Sequence, residues 1–416
     1  MQSRRVVVTG LGALTPLGNT VDEFWTNLIS GKSGAALITR FDTTKFKTRF
    51  ACELKDYNPL NYFEKSEVRK IDPFTQYALV STAEALKDSG LDLDKIDKTR
   101  VGVIWGSGNS GFSTFQQEIM DFARGDGTPR INPYFIPKVI VDIASGWISI
   151  KYGFMGVNFT TVSACATSTT AIIDAMNYIK WGKADIIVSG GSEAAINEAG
   201  IGGFSAMKAL STRNDDPARA SRPFDVGREG FVMGEGAGAL ILEEYEHARK
   251  RGARIYAEVA GGGMSADAYH LTATNSEGAG AILGMKWALE DAGIQKESVD
   301  YLNPHATSTP VGDESEMKAV KSFFGDHASR MAISATKSAT GHLLGGAGAV
   351  EAIICIKAIQ TSTIPPTINT ENIDPSIPPG INIITGEKIQ REVNVAMSNT
   401  FGFGGHNASA VFVATR

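Results

Sequence analysis

A cysteine among small and hydroxyl residues is the first feature of the sequence whose type and setting could do chemistry. Segment 161–171, TVSACATSTTA, places Cys165 directly before a strongly apolar helical stretch. At a helix N-terminus, unpaired backbone amides and the positive end of the helix dipole stabilise a thiolate, so we expect the pKa of Cys165 to lie below about 8.5. Its small neighbours leave room that Leu or Phe would fill. The sequence therefore predicts a nucleophile that accepts a bulky substrate group.

The other two cysteines, Cys52 and Cys355, lie far from Cys165 and from each other, without CxxC spacing. Cys355 sits inside an apolar helical stretch, and a small buried core residue is the common fate of a cysteine in a reducing compartment. The spacing indicates neither a disulfide framework nor a cysteine-based zinc site. We expect a cytoplasmic protein in which Cys165 alone is reactive.

Two histidines stand beside further hydroxyl residues. His305 follows an apolar strand pattern and precedes Thr307 and Thr309, whereas His342 follows Gly341 and precedes an apolar helix expected to start near Leu343, in mirror relation to Cys165. A single histidine is more often a core residue or a metal ligand. Two imidazoles opposite a nucleophile could instead donate hydrogen bonds to a developing oxyanion.

Known nucleotide-binding and metal-binding motifs do not account for the function of this chain. The glycines of GSGNSG, at 106–111, match G-x-G-x-x-G, but GDGTP at 125–129 interrupts the helix that dinucleotide binding requires. No phosphate loop, H-E-x-x-H helix, G-x-S-x-G elbow or calcium loop is present in the sequence. We therefore expect no cofactor and assign no metal site.

The elements that must position these residues follow an α/β pattern. Apolar runs at 6–9, 101–105 and 185–189 end near glycine and alternate with helical stretches, which predicts buried parallel strands with crossover helices. The pattern returns after about residue 255, with strands at 255–259 and 299–303. ALKDSG at 85–90 matches ALEDAG at 288–293, and the apolar stretches 171–180 and 349–358 match in the same order. The sequence predicts an internal duplication of a βαβαβ unit.

Four separated motifs resemble the β-ketoacyl-acyl carrier protein synthases, and most closely their elongating members. These motifs are SACATS at 163–168, NPHATSTP at 303–310, KSATGH at 337–342 and NTFGFGG at 399–405. The resemblance covers essentially the whole chain. It implies a thiolase-like α/β fold, with duplicated βαβαβ halves at 1–255 and 256–416 packed as αβαβα layers.

The resemblance also implies a reaction, in which an acyl group on Cys165 condenses with a decarboxylating malonyl thioester during fatty-acid elongation. It implies that His305 and His342 stabilise the enolate, that Lys337 organises the site electrostatically, and that the backbone amides of Cys165 and Phe401 bind the oxyanion. The remaining implied roles are phosphopantetheine binding by Thr307 and Thr309, a mobile loop at Gly402, Gly404 and Gly405, and gating of the acyl pocket by Phe401 and Phe135.

Charge and composition limit the partners. The net charge of −5 does not favour nucleic acid, and no uninterrupted run of eighteen apolar residues predicts a membrane span. Acyl carrier proteins are acidic, so a docking patch must be locally basic. The resemblance implies a homodimer and carrier-protein docking at Lys65, Arg69, Lys70, Arg130 and Lys208, although a run such as 65–70 is usually a solvated helix face.

Three other functions remain open at this point. A thiolase would share the fold but needs a second cysteine, which the loop 401–405 lacks; a noncatalytic chain-length partner would not need Cys165, His305, His342 and Lys337 together. An initiating synthase usually has one histidine with an asparagine, and the pair of His305 and His342 disfavours it. The sequence does not separate the two types of elongating synthase, I and II. Acyl chain length depends on pocket depth, for which Asn109 is a candidate determinant, and His406 has no assigned role.

Overall fold

The computed structural model describes residues 4–415. The strands are β1 Val6–Leu14, β2 Ala36–Leu37, β3 Phe50–Ala51, β4 Val101–Gly106, β5 Asn158–Thr161, β6 Ile186–Glu193, β7 Gly236–Glu244, β8 Ala257–Ala266, β9 Tyr301–Asn303, β10 Ala332–Ile333, β11 Thr363–Ile364, β12 Ile389–Gln390, β13 Val395–Gly402 and β14 His406–Val413. The helices are α1 Val21–Ile29, α2 Lys65–Val68, α3 Pro73–Ser89, α4 Phe112–Arg124, α5 Phe135–Val139, α6 Ile143–Tyr152, α7 Thr167–Lys180, α8 Glu198–Ala206, α9 Tyr245–Lys250, α10 Ala279–Ala292, α11 Pro310–Phe324, α12 Lys337–Thr340 and α13 Ala347–Thr361.

The order of strands in the main sheet shows the predicted duplication. Ten strands run β10-β9-β13-β14-β8-β1-β7-β6-β4-β5, so that the two halves mirror each other about the β8–β1 pair. The sheet is mixed, because β1 runs antiparallel to both β7 and β8, whereas the sequence predicted parallel strands. Parallel pairing is confined to the outer strands, such as β4 with β5 and β6. The division predicted between residues 255 and 256 falls between α9 and β8 and stays a prediction.

The repeated helices end in the same way. Gly90 follows α3 with φ of 62°, and Gly293 follows α10 with φ of 66°. Glycine adopts this left-handed conformation without steric cost because it has no Cβ, and a residue in this conformation ends the helix. Both matching hexapeptides therefore end an outer helix that packs on its own half of the sheet.

Helices α7 and α13 contact each other in the middle of the molecule, between the two halves of the sheet. With α3 and α10 on the outer faces, this gives the predicted αβαβα layers. The segment Leu344–Thr361, which contains α13, is long and apolar enough to cross a membrane, but 83% of it is buried inside this protein. Its apolar character is explained by contacts with α7 and with both halves of the sheet.

A short 3₁₀ turn precedes each central helix. The turn Ala164–Ala166 leads into α7, and the turn Leu344–Gly346 leads into α13. Ala164 and Leu344 both have positive φ, of 51° and 49°, which turns the chain sharply before the helix. The counterpart of Cys165 in the second half is therefore Gly345, and the predicted mirror relation between Cys165 and His342 is wrong. His342 lies three residues earlier, before the turn.

Candidate active site

One cavity of about 370 Å³ is lined by residues from both halves of the chain. The structure brings the predicted nucleophile, both histidines, the two threonines and most of the glycine loop to this cavity. Its lining includes Cys165, Lys208, Phe231, His305, Thr307, Thr309, His342, Leu344, Phe401, Gly402, Phe403 and Gly405. The cavity is mostly apolar with a few convergent polar groups, as is usual for a small-molecule site.

Cys165 lies in the turn before α7, with its thiol at the cavity. It packs against an apolar cluster that includes Ile196, Phe204 and Leu344. The pKa of the Cys165 thiol is raised to about 12, mainly by burial; the charge of Lys337 and backbone N–H groups lower this pKa, and nearby Glu193 raises it. Cys165 lies at the N-terminal end of α7, as the sequence predicted, but its pKa is raised and not lowered, because burial outweighs the charge of Lys337 and the backbone N–H groups.

This shift predicts how Cys165 reacts with an alkylating reagent. Since the thiolate is the reactive form, the rate of iodoacetamide modification should rise about tenfold per pH unit from pH 7 to pH 10 without a plateau. A thiol with an ordinary pKa would level off above about pH 9. Peptide mapping of Cys165 after timed alkylation measures the rate. A plateau near neutral pH would contradict the raised pKa.

Two backbone amides face the sulfur of Cys165. The N–H groups of Cys165 and Phe403 lie beside the sulfur and favour negative charge there. Gly402 packs directly against this turn, because a Cβ added to it would lie 2.6 Å from the carbonyl oxygen of Ser163 and 3.0 Å from the amide nitrogen of Cys165. The glycine is required by this close approach.

The amide of the glycine loop that faces the Cys165 sulfur belongs to Phe403, and not to Phe401, for which the oxyanion role was predicted. Phe401 still belongs to β13 and pairs with Asn407, whereas Phe403 follows the strand in the turn that faces Cys165. Phe401 presents its ring to the cavity, with its centroid 5.6 Å from that of His305. Gly404 and Gly405 continue the turn with φ of 87° and 77°.

The rings of His305 and His342 stand edge to face, with centroids 5.1 Å apart. The Nδ1 atoms of both rings are buried without a hydrogen-bond partner among residues 4–415, which leaves Nε2 as the nitrogen at the cavity. Burial lowers the pKa of both imidazoles well below 6.5, and the charge of Lys337 lowers it further. Both rings are therefore neutral at pH 7, with one nitrogen able to donate and one able to accept.

Lys337 is the buried cation of the site. It is 2% exposed, and its Nζ donates to the carboxylate of Glu351 on α13. Burial raises the pKa of Glu351 to about 7, against the stabilising charge of Lys337. Lys337 is therefore not an exposed surface lysine, which was the alternative interpretation of the sequence. Lys337 instead acts at short range on both imidazoles.

Sequence reasoning did not find Glu316, which holds the loop of His305 in place. The Glu316 carboxylate accepts hydrogen bonds from the backbone N–H of His305 at 2.9 Å and of Ala306 at 2.8 Å. Its pKa is raised by burial to about 7. Asp313 and Glu316 lie three residues apart on α11 and are both buried. That spacing on one helix face, directly after the His305 loop, was the available signal.

Other predicted site residues are placed as follows. The hydroxyl oxygens of Thr307 and Thr309 lie 3.2 Å apart at the cavity. Phe135 does not line this cavity within its own chain; its ring stacks on Phe115, with centroids 6.0 Å apart. The exposed His406 ring lies against Gly404. The role of Phe135 as a gate therefore stays a prediction.

The predicted docking residues come from separate segments. Lys208 is exposed at the rim of the cavity. Lys65 lies on α2, Arg69 directly follows this helix, and Lys70 stands 5.8 Å from the ring of Tyr134. Arg130 is exposed and pairs with Asp126 at 3.2 Å. All the cations are partly or fully accessible, so they can contribute to a local basic surface.

Two family models match the chain. The model described as "Beta-ketoacyl synthase, N-terminal domain" matches residues 3–248, and the model described as "Beta-ketoacyl synthase, C-terminal domain" matches residues 256–371. Together they cover more than half of the sequence and include Cys165, His305 and His342.

Relatives of known name match over nearly their whole length. The chain is 47% identical to 3-oxoacyl-[acyl-carrier-protein] synthase 2 of Coxiella burnetii (strain RSA 493 / Nine Mile phase I), with 99% of both chains covered. It is 47% identical to the protein of the same name from Staphylococcus aureus (strain COL), covering 99% of this chain and 98% of the relative.

Solved structures share the fold. A beta-ketoacyl synthase from Burkholderia phymatum STM815 superposes with a TM-score of 0.91 at 33% identity, covering 99% of this chain and 100% of the other. A chain from a type II PKS acyl-carrier protein in complex with its ketosynthase bound to the hexaketide superposes equally well, with a TM-score of 0.91 at 32% identity and full coverage of both chains.

Proposed function

The chain belongs to the β-ketoacyl synthase family, and we propose that it acts in the cytoplasm as a 3-oxoacyl-[acyl carrier protein] synthase of fatty-acid elongation. It is an acyl-transferring condensing enzyme that joins an acyl group to the two carbons left when a malonyl thioester loses carbon dioxide. The observation that carries the assignment is the convergence of Cys165, His305 and His342 on one cavity.

The first half-reaction moves the acyl group to Cys165. Its sulfur attacks the carbonyl carbon of the carrier-protein thioester, and the oxyanion accepts hydrogen bonds from the N–H groups of Cys165 and Phe403. The departing pantetheine sulfur takes the proton that the Cys165 thiol gives up. No net proton is released, so a thiol that is neutral at rest is compatible with this step.

The second half-reaction begins with malonyl thioester in place of the released carrier. Nε2–H groups of His305 and His342 donate to the thioester carbonyl oxygen, where the electron pair from the departing carboxylate collects as carbon dioxide leaves. The enolate carbon then attacks the acyl carbonyl on Cys165. The carbon–sulfur bond breaks, the sulfur takes up one proton, and the product is a 3-oxoacyl thioester two carbons longer.

Lys337 supports this step by keeping the imidazoles neutral. Two protonated rings would repel each other. They would also stabilise the charge of the malonyl carboxylate and so oppose its loss as neutral carbon dioxide. The buried cation disfavours protonation of both rings, and Glu351 compensates it. Thr307 and Thr309 offer hydroxyl groups to the amides of the phosphopantetheine arm.

Product analysis tests the proposal. Purified protein supplied with an acyl carrier protein thioester and malonyl carrier protein should release one carbon dioxide for each 3-oxoacyl product. Cleavage of acetoacetyl-CoA without carbon dioxide release would favour a thiolase. Absence of both reactions in folded protein would favour the noncatalytic chain-length partner.

Carrier-protein docking through the cavity rim gives a further prediction. Lys208→Glu places a negative charge where an acidic carrier approaches, so KM for the acyl carrier protein should rise roughly fivefold with kcat nearly unchanged. The increase should shrink at high salt, because exposed charges are screened. Lys286→Glu, on the outer helix α10, is the matched control and should leave KM unchanged. Equal KM values for both variants would contradict docking at this rim.

We also propose that the chain forms a homodimer through an exposed apolar face on α4 and α5. Phe115, Ile119, Phe122 and Ile136 on these helices and Ile140 directly after α5 are between 39% and 61% exposed, and contiguous exposed apolar residues often mark a protein–protein interface. The edge strand β5 lies at the free end of the sheet on the same half. In such a dimer Phe135 would contribute to the partner's acyl pocket, which is the gating role that the family resemblance implies.

A further inference from the structure

Glu193 is a fully buried carboxylate that the reaction described above does not use. It ends β6 and is 0% exposed. Its oxygens accept hydrogen bonds from the backbone N–H of Gly108 at 2.9 Å, of Asn109 at 3.0 Å and of Gly345 at 3.0 Å, and from the Ser107 hydroxyl at 3.3 Å. No arginine or lysine pairs with it among residues 4–415. Three backbone amides and one hydroxyl group compensate this charge.

The donors of Glu193 come from both halves of the chain. Residues 107–109 follow β4 in the first half, whereas Gly345 lies in the turn Leu344–Gly346 before α13 in the second. The two segments touch, since a Cβ added to Gly345 would lie 2.3 Å from the amide nitrogen of Gly108. A Cβ added to Gly108 would lie 3.5 Å from the carbonyl oxygen of Ala164, in the turn of Cys165. Glu193 therefore holds residues 107–109 against the turn Leu344–Gly346, and Gly108 lies in turn beside the turn of Cys165.

Because the chain is internally duplicated, the hydrogen bonds of Glu193 can be compared with those around Cys165. Cys165 and Gly345 occupy corresponding positions in the two turns. In the first half, the N–H of Cys165 helps to form an oxyanion site that is open to the cavity. In the second half, the corresponding N–H of Gly345 is occupied by the Glu193 carboxylate. The second half thus has a site that corresponds to the oxyanion site of the first half, and the Glu193 carboxylate occupies it.

We propose, resting on the proposed function, that Glu193 is a positioning residue for the condensation. Its carboxylate fixes the turn Leu344–Gly346, which follows His342, against residues 107–109 and the turn of Cys165. A neutral amide cannot replace it, because a glutamine would turn an NH₂ group toward backbone N–H donors. Loss of the brace displaces His342 relative to Cys165, and small displacements of catalytic groups can cost about 10²-fold in rate.

The Glu193 carboxylate also has an electrostatic effect that a purely structural role would not produce. It is one of the groups that raise the pKa of Cys165, after burial. Removing its charge should therefore make the thiol more reactive toward iodoacetamide at a given pH while the condensation becomes slower. The opposite signs of these two changes distinguish positioning from general damage.

The variants Glu193→Gln and Glu193→Ala test the proposal in the full-length protein. Glu193→Gln should lower kcat for condensation about 10²-fold and speed alkylation of Cys165 severalfold, with Cys52 and Cys355 still unmodified as a check of folding. Acetate at about 100 mM matches the atoms missing in Glu193→Ala and should restore kcat severalfold, whereas propionate should not. Should Glu193→Ala fail to fold, the glutamine variant decides the question.

Glu84→Gln is the matched control. Glu84 accepts hydrogen bonds from two backbone N–H groups, of Ala13 and Val21, both at 2.8 Å. Burial raises the pKa of Glu84 to about 7, as it does the pKa of Glu193, but Glu84 lies outside the cavity. A kcat of Glu193→Gln within twofold of the wild type, or an equal loss in Glu84→Gln, would overturn the proposal. If wild-type protein forms no 3-oxoacyl product, the proposed function fails, while the alkylation comparison still tests Glu193.

Discussion

Replacing Cys165 with serine should abolish acyl-enzyme formation and lower the condensation rate roughly 10⁴-fold or more. Serine keeps the size of the side chain, but its hydroxyl is a far weaker nucleophile than a thiol and no base lies in hydrogen-bond contact with it among the described residues. Intact-protein mass spectrometry after incubation with an acyl carrier protein thioester measures the loss of the acyl adduct. Decarboxylation of malonyl carrier protein should survive, because the histidine pair is unchanged.

Cys355→Ala is the control for this experiment. Cys355 is fully buried in α13 and its thiol lies 3.7 Å from the carbonyl oxygen of Met397, away from the cavity. Its removal should cost about 1 kcal/mol of stability without affecting acylation. An acyl adduct that persists in Cys165→Ser, or one that is lost in Cys355→Ala, would show that the nucleophile lies elsewhere.

Replacement of either histidine should separate the two half-reactions. His305→Ala and His342→Ala should each lower decarboxylation of malonyl carrier protein about 10²- to 10³-fold, because each removes one of two donors to the same enolate oxygen. Acylation of Cys165 should persist in both variants. The double variant should lose much less than the product of the two single effects, since the donors act on one oxygen.

His406→Ala is the matched control, because His406 is exposed and packs against the glycine turn outside the reacting atoms. Its condensation rate should stay within a few-fold of the wild type. Loss of acylation in the histidine variants with intact decarboxylation would reverse the assigned roles and contradict the mechanism.

Local sequence was enough to find the polar groups that converge on the cavity. Cys165 precedes an apolar helix among small residues, and both histidines stand in short motifs with glycine or threonine neighbours. The repeated hexapeptides also indicated the duplication correctly, because the same helix end requires the same glycine in each half. Each of these features depends on residues adjacent along the chain.

The environment of those groups could not be predicted in the same way. The pKa of Cys165 is set by apolar side chains such as Ile196 and Phe231, which come from distant segments, so the local helix signal gave the wrong direction. Glu193, Glu316 and Glu351 resemble surface carboxylates in the sequence, and only the fold buries them. The N–H of Phe403 faces the sulfur of Cys165, and that of Phe401 does not, because Phe401 still lies in β13 and Phe403 follows the end of this strand.

A single-turnover experiment tests the central claim most directly. Protein acylated by a carrier-protein thioester is isolated, the label is located by peptide mapping, and malonyl carrier protein is then added. We predict that the acyl group lies on Cys165, that it leaves within one turnover as a 3-oxoacyl product two carbons longer, and that one carbon dioxide accompanies each transfer. An acyl group found elsewhere, or one released from Cys165 only by hydrolysis, would contradict the account.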